Sequence, residues 1–249
     1  MDNIFWEDDP TWVNYGTLYN NRLQVLSLAC QRFEPNDEYA SFLAENPWLD
    51  DYCLFMALKA HFEGQPWLQW PQALKDHQAA ALADALEAHA EEVNLHRFCQ
   101  FVFYKQWNAL HAYANSKGIS IIGDVPIYVP YDSVDVWSSP ELFQLNEQLD
   151  PVDVAGCPPD AFTADGQLWG NPLYLWDLHA KDGYTWWVRR MAAAGKLYDV
   201  VRLDHFRGFE AYWAVPYGDE TARNGKWVKG PDMAFIKALK KNLPDLKII

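Results

Sequence analysis

Residues 198–206 read YDVVRLDHF: a β-branched apolar run that ends in an arginine, an aspartate and a histidine, with a second arginine at position 207. Successive strand residues alternate between faces, so Val200, Arg202 and Asp204 share one face while Val201 and Leu203 share the other. If Val201 and Leu203 pack on helices, Arg202 and Asp204 stand at the mouth of whatever the sheet encloses. A partly desolvated carboxylate beside a guanidinium suits the nucleophile of covalent catalysis. The same spacing serves a structural Arg–Asp pair at a strand end equally well.

Working outward, GYTWWVRRMAAAGKL (183–197) reads as a helix before this strand. GPDMAFIKALKKNLP (230–244) reads as a helix after it, with Asp232 as cap and Phe235, Ile236, Leu239 and Leu243 as its apolar stripe. GISIIGDVPIYV (118–129) is an earlier buried strand by its apolar, β-branched run, and DLKII (245–249) begins a third. Strand, helix, strand, helix, strand is the pattern of a parallel sheet. Long loops after the strand C-termini suit a (β/α)8 TIM barrel, whose active sites lie on that face. A doubly wound sheet is the alternative, but no G-x-G-x-x-G follows any strand, and Walker A, H-E-x-x-H and G-x-S-x-G are missing too. The expected fold class is α/β: part of a TIM barrel with a helical insertion subdomain.

Residues 1–118 are expected to be that mostly helical part, and 119–249 the partial barrel. NPWLDDYCLFMALKAHFEG (46–64) places Leu49, Tyr52, Cys53, Met56 and Ala60 at helical spacing, with Asn46 and Pro47 as cap and first turn and Gly64 as stop. A long helical stretch is expected from about 76 to 116, and Gly118 ends it. Residues 130–176, rich in Pro, Asp, Gly and Trp, are expected to be long loops with little regular structure.

Net charge is −14, from 20 basic and 34 acidic residues, which disfavours nucleic acid and anionic membranes as partners. No apolar run approaches the roughly 20 residues of a membrane span. The opening MDNIFWEDDP is acidic where a secretory leader would be basic, so the simplest location is the cytoplasm. Cys30, Cys53, Cys99 and Cys157 are widely separated, with no C-x-x-C pair, and read as buried free thiols. No metal or organic cofactor is implied. With 13 each of Trp, Tyr and Phe, the chain is rich in aromatic surface; a Trp-rich core and domain interface must account for most of it, and stacking platforms for pyranose rings are the functional reading.

Two further clusters hold candidates. In CPPDAFTADGQLWGNP (157–172), Asp160 sits on a Pro-stiffened loop and Trp169 precedes Gly-Asn-Pro. An exposed Trp there suits sugar stacking, although a Trp plugging a loop against the core is the commoner case. In IIGDVPIYVPYDSVDVW (121–137), Asp124 lies on the strand face of Ile122 near the strand's end, while Asp132 and Asp135 read as turn or capping residues.

The stretches GDVPIYVPYDSVDVW, PPDAFTADGQLWGNPLY and RLDHFRGFEAYW resemble the motifs of the 4-α-glucanotransferases called amylomaltases or disproportionating enzymes, as do ENPWLDDYCLFMALK, FYKQW and NGKWVKGP. The resemblance runs in family order from about residue 45 to the end. It implies a branch of the α-amylase superfamily with a (β/α)8 barrel, helical insertions and retention of anomeric configuration, acting on malto-oligosaccharides. By resemblance, Asp204 matches the nucleophile and Arg202 the arginine that orients it. Asp124 matches the aspartate ending the third barrel strand. Asp160 and Trp169 match the loop that holds the glucan chain, and His205 a position beside the acceptor site. Ala161 departs from the pattern, since many relatives carry Tyr there.

Retaining transfer needs two carboxyl groups about 5–5.5 Å apart. The resemblance puts the acid/base Glu in a stretch like AEDLG directly after DLKII, and a third carboxylate on a later strand. The family's first barrel strands find no match in MDNIFWEDDPTWVNYG. Glu210 is six residues past Asp204, but nothing in its surroundings gives it the character of an acid. The expectation is a piece of a longer protein with little activity by itself. A glucan-binding module without chemistry, and a retaining α-glucan hydrolase of the same superfamily, remain open alternatives.

Overall fold

The computed structural model describes residues 11–249; the opening MDNIFWEDDP, with its acidic character, lies outside the described residues. The chain divides into two compact units. One takes the residues up to Gln65 and Trp70–Gln106, the other Pro66–Gln69 and Trp107–Ile249.

The first unit is helical: α1 (Tyr15–Gln31), α2 (Asp37–Glu45), α3 (Leu49–His61), α4 (Gln72–Lys75), α5 (Ala79–Ala88) and α6 (Ala90–Ser116), whose last turns belong to the second unit. Asparagine side chains cap α1 and α2: Asn14 accepts from the Thr17 amide at 3.0 Å and Asn36 from the Tyr39 amide at 2.9 Å. The expected helix over 46–64 is α3, with two differences. Trp48, not Asn46, occupies its cap position, because Asn46 is buried with its amide donated back to the Phe42 carbonyl of α2. The buried face is also broader than the expected stripe. Leu54, Phe55, Ala57 and Leu58 join Leu49 and Cys53, while Ala60 is exposed. Gly64 stops the chain as expected, in the left-handed region at φ +80°, with its amide on the Lys59 carbonyl. The single helix expected from 76 to 116 is two, broken at His89, whose ring lies 4.6 Å from that of His61. Phe33, Tyr39, Phe42, Phe98 and Phe101 pack ring against ring in this unit. Among the four free thiols only Cys53 is fully buried, and desolvation pushes it up to about 12.

The second unit holds two sheets. Strands β1 (Ile122–Val125) and β4 (Val200–Leu203) pair in parallel, with Asp124 opposite Arg202 and Val125 opposite Leu203. The expected third strand follows: Val201 donates to the Lys247 carbonyl, Ile249 donates to the Val201 carbonyl, and Ile248 bridges Val201 in parallel. Between β1 and β4 lie α7 (Val134–Ser138), β2 (Asp153–Cys157), β3 (Gln167–Pro172), α8 (Trp176–Lys181) and α9 (Thr185–Leu197). After β4 come β5 (Ala211–Pro216), β6 (Lys226–Lys229) and α10 (Asp232–Asn242). Alternation falls as the sequence requires. Gly123, Val125, Val201 and Leu203 are buried, whereas Ile122, Asp124 and Arg202 are exposed. Helix α9 packs on β1, β4 and α10, and the layer between is aromatic: Trp176, Trp187, Phe209 and Phe235, with the last two stacked at 4.4 Å and 7°. This is the expected α/β class, part of a TIM-type barrel.

Residues 130–176 are not the loops expected from composition. They contain α7, β2 and β3, and the two strands join β5 and β6 in an antiparallel sheet ordered β3-β2-β5-β6. The strands are short, and β2 pairs on one side with β3 and on the other with β5, which follows β4 in the chain. Asp232 caps nothing beyond its own helix start: it is the first residue of α10, and its carboxylate accepts from the Met233 amide.

Candidate functional site

The site begins where the parallel strands end. In the ladder Asp124 is directly opposite Arg202, and Asp204 is two residues further on. The Arg202 guanidinium donates through Nη1 to Asp124 at 2.7 Å and through Nη2 to Asp204 at 2.5 Å. One planar fork thus fixes two carboxylates from adjacent strands. All three side chains are about half exposed on the face that the helices leave open. The Asp204 amide still donates to the Val125 carbonyl at 3.0 Å, so the backbone bearing Asp204 is held by the sheet.

Beyond Asp204 the chain turns sharply. His205 adopts a left-handed conformation at φ 50°, and a 3-10 turn over Phe206–Phe209 follows. This aims the His205 ring edge-on at Trp169, centroids 4.8 Å apart at 88°. His205 Nε2 is buried without a hydrogen-bond partner, and desolvation lowers the pKa of the ring, with Asp204 opposing and Arg207 adding to that effect. Its neutral form is therefore favoured.

Trp169 sits on β3, its indole N–H bonded to Gln167 at 3.0 Å and its ring 6.2 Å from Tyr128. Tyr128 lies in the segment after β1, which three side chains pin by its carbonyls. Tyr174 and Arg190 both donate to the Ile127 carbonyl, and Asn171 donates to that of Val129. Asp124, Arg202 and Asp204 are joined by hydrogen bonds, and His205, next in the chain, makes the ring contact with Trp169.

Asp160 stands apart from that chain. Its Oδ1 accepts from the Phe162 and Thr163 amides at 2.8 and 2.9 Å, closing an Asx turn at the tip of the β2–β3 hairpin. Gly166 (φ +68°) completes this tip; a Cβ there would lie 2.4 Å from the Cys157 carbonyl oxygen. Next to Ala161, Phe162 is 98% exposed, an aromatic ring presented to solvent that composition did not single out. Asp135 is not the simple turn residue expected. It is largely buried, Ser133 caps α7 in its place, and burial raises its pKa while Arg190 lowers it. Tyr128, Asn171 and Tyr174, which lie within the quoted motifs, and Arg190, in the helix read over 183–197, were not singled out. Among the described residues no group of three or more His, Cys, Asp or Glu is arranged to hold a metal ion, and no helix is long and apolar enough to cross a membrane.

The chain is 47% identical over 97% of its length to a 4-alpha-glucanotransferase of Clostridium butyricum, of which it covers 50%. It is 48% identical over 92% of its length to one from Aquifex aeolicus, of which it covers 47%. The chain thus spans about half the length of the curated relatives it matches. Among solved structures, an amylomaltase from Streptococcus agalactiae in complex with acarbose superposes with a TM-score of 0.93 at 41% identity, over 99% of this chain and 51% of that one. An amylomaltase of Corynebacterium glutamicum, at 19% identity and a TM-score of 0.71, shares the fold. A family model described as 4-alpha-glucanotransferase matches residues 3–249, and the chain belongs to that family.

Proposed function

We propose that this chain carries the nucleophile-bearing part of a retaining 4-α-glucanotransferase site. The observation that supports it most is the Arg202 fork between Asp124 and Asp204 at the ends of adjacent parallel strands. In this reading the Asp204 carboxylate attacks the anomeric carbon of an α-1,4-linked glucose. The bond to the leaving 4-oxygen breaks as an acid/base carboxyl group protonates that oxygen, and a β-linked glucosyl-enzyme forms. The 4-hydroxyl of a second glucan then attacks the same carbon, gives its proton to the acid/base group and releases Asp204. Arg202 orients the nucleophile. Asp124 takes the other half of the guanidinium, which fixes the fork, and faces the bound sugar.

Trp169 and His205 form the wall on which a malto-oligosaccharide lies: an indole face for the pyranose, braced edge-on by the imidazole. Asp160 shapes the hairpin tip that covers the chain, with Phe162 supplying the aromatic contact that Ala161 does not. The acid/base group is not among the residues bonded in this cluster. Such a group supplies roughly 100- to 10,000-fold, so the 249-residue chain by itself is proposed to bind glucan and transfer it little.

Maltotriose disproportionation, followed as glucose release and longer products, tests this in the chain alone and in the chain joined to the remaining half of a curated relative. Transfer in the joined protein, its loss in Asp204→Asn, and little turnover by the chain alone are the expected results. A joined Asp204→Asn protein with undiminished transfer removes Asp204 from the mechanism.

A further inference from the structure

The tip of the β2–β3 hairpin, residues 158–166, is held to itself by the Asp160 turn and by Thr163, whose hydroxyl donates to the Gly166 carbonyl at 3.0 Å. Among the described residues, the hydrogen bonds and ion pairs that tie this tip to other parts of the chain all come from Ala222 and Arg223. Both belong to a 3-10 turn, Ala222–Asn224, between β5 and β6. The Ala222 amide donates to the Asp165 carbonyl at 3.0 Å. Arg223 Nε donates to the Ala164 carbonyl at 3.1 Å, and Arg223 Nη2 pairs with Asp165 Oδ1 at 2.7 Å.

The turn is well seated. Ala222 is fully buried with Val154 of β2 and Val215 of β5, and Trp213 of β5 donates to its carbonyl at 2.8 Å. A Cβ on Gly166 would lie 2.9 Å from the Ala222 Cβ, so tip and turn also touch. Phe162 is 98% exposed, so no packing of its own ring sets where it stands. Its place follows from where the tip is held. The backbone bond from Ala222 survives any substitution at position 223, whereas the Arg223 fork is the part of the hold that a side chain controls. A planar guanidinium reaches a carbonyl and the next residue's carboxylate at once, which the point charge of a lysine does not reproduce. These bonds are about half exposed and individually weak. Exposed loops open locally at little cost, so a weak clamp still changes how often the tip is in place.

We propose that Arg223 is a positioning residue for the glucan-covering tip and through it sets the preference of the site for longer malto-oligosaccharides. The proposal rests on the reading above that the tip covers the bound chain. Arg223 itself touches neither the sugar nor the reacting atoms. When the binding-competent arrangement is only partly populated, apparent affinity falls by that fraction while the bound complex is unchanged. Loosening the clamp therefore raises KM and leaves kcat alone, and does so for glucans long enough to reach the tip.

The test uses the chain joined to the remaining half of a curated relative, with maltotriose and maltoheptaose as donors. In Arg223→Met, which keeps the apolar stem, KM for maltoheptaose should rise roughly three- to fivefold, with kcat and the maltotriose KM within about twofold of wild type. Arg223→Lys should recover part of the loss. Amide exchange over residues 158–166 should quicken at least roughly twofold in Arg223→Met, while the urea midpoint, which a general loosening would lower, stays in place. Phe162→Ala separates the two claims. A maltoheptaose KM equal to wild type in that variant means the tip does not cover the glucan, and the inference falls with its premise. A KM raised by Phe162→Ala but not by Arg223→Met overturns the clamp and leaves the covering tip standing. So does a rise equal for both donors, or a fall in kcat at unchanged KM.

Discussion

Replacing Gly123 with alanine would put a methyl group inside the ring of Tyr198. An ideal Cβ on Gly123 lies 1.9 Å from Tyr198 Cδ2, 2.2 Å from Cγ and 2.3 Å from Cε2, where carbon atoms in contact keep about 3.5–4.0 Å. The conflict includes Cγ, the atom that attaches the ring, so rotating the ring about its own axis relieves little. Either Tyr198 changes χ1 or β1 moves away from it. The first breaks an edge-on contact with Trp107 at 5.9 Å. The second pulls on the ladder that sets Asp124 opposite Arg202. Overpacking of this kind costs about 1–3 kcal/mol, and the depth of this overlap puts Gly123→Ala near the upper end. With a urea m-value of about 2–3 kcal/mol/M, the midpoint falls by roughly 1 M. Urea titrations of wild type, Gly123→Ala, Tyr198→Ala and the double variant, followed by tryptophan fluorescence, form a complete cycle. Removing the ring should recover most of the loss. A Gly123→Ala protein within about 0.5 kcal/mol of wild type, or one whose loss persists without Tyr198, would refute this account of the glycine.

Arg202→Met should separate stability from function: its ion pairs are half exposed, so unfolding changes by about 1 kcal/mol at most, while maltoheptaose binding read by tryptophan fluorescence collapses; unchanged binding would place the sugar elsewhere. His179 is fully buried among Tyr174, Trp176 and Trp186, and desolvation lowers its pKa from the ordinary 6.5. The unfolded chain therefore takes up this proton first, so the stabilisation is complete above pH 6.5 and declines as pH falls below it. Melting temperatures at pH 7 and pH 5 should drop more in wild type than in His179→Phe, and equal drops would argue against a buried neutral imidazole. Asp199 is held at about 2 by the Ile121 amide, Asn115 and His111. Its contribution is present above the unfolded value of about 3.9 and is lost as pH falls toward 2. Acid titration of Asp199→Asn should lack that part of the transition, and an unchanged acid limb would mean the link is weak.

What could be read from the residues was whatever depends on near neighbours. The alternation in VVRLD placed Arg202 and Asp204 on one face because a strand's period is two, and the structure keeps that face open. The parallel pairing followed from the order of strands and helices. Strands β2, β3, β5 and β6 escaped because each is short and the sheet they form is assembled from two separate excursions of the chain. Asp135 looked like a turn residue because its counter-charge, Arg190, is on a helix far along the chain. In α3, a two-sided core buries residues that a one-sided stripe would have left in water. For the candidate site, the Arg202–Asp204 half of the fork was legible from spacing, whereas its Asp124 half and the pinning of the Tyr128 segment by Tyr174, Asn171 and Arg190 depend on tertiary neighbours.

The antiparallel sheet draws β2 and β3 from the connection before β4 and β5 and β6 from the connection after it. Asp153 pairs with Pro216 and Ala155 with Ala214, about sixty positions apart in the chain. Such a register pays its loop-closure entropy before any contact rewards it. On a ribosome, β2 and β3 emerge and wait while α8, α9 and β4 are made. The join between the hairpin that bears Trp169 and β5 is therefore expected to form late, and refolding should show that join settling after the helices have formed.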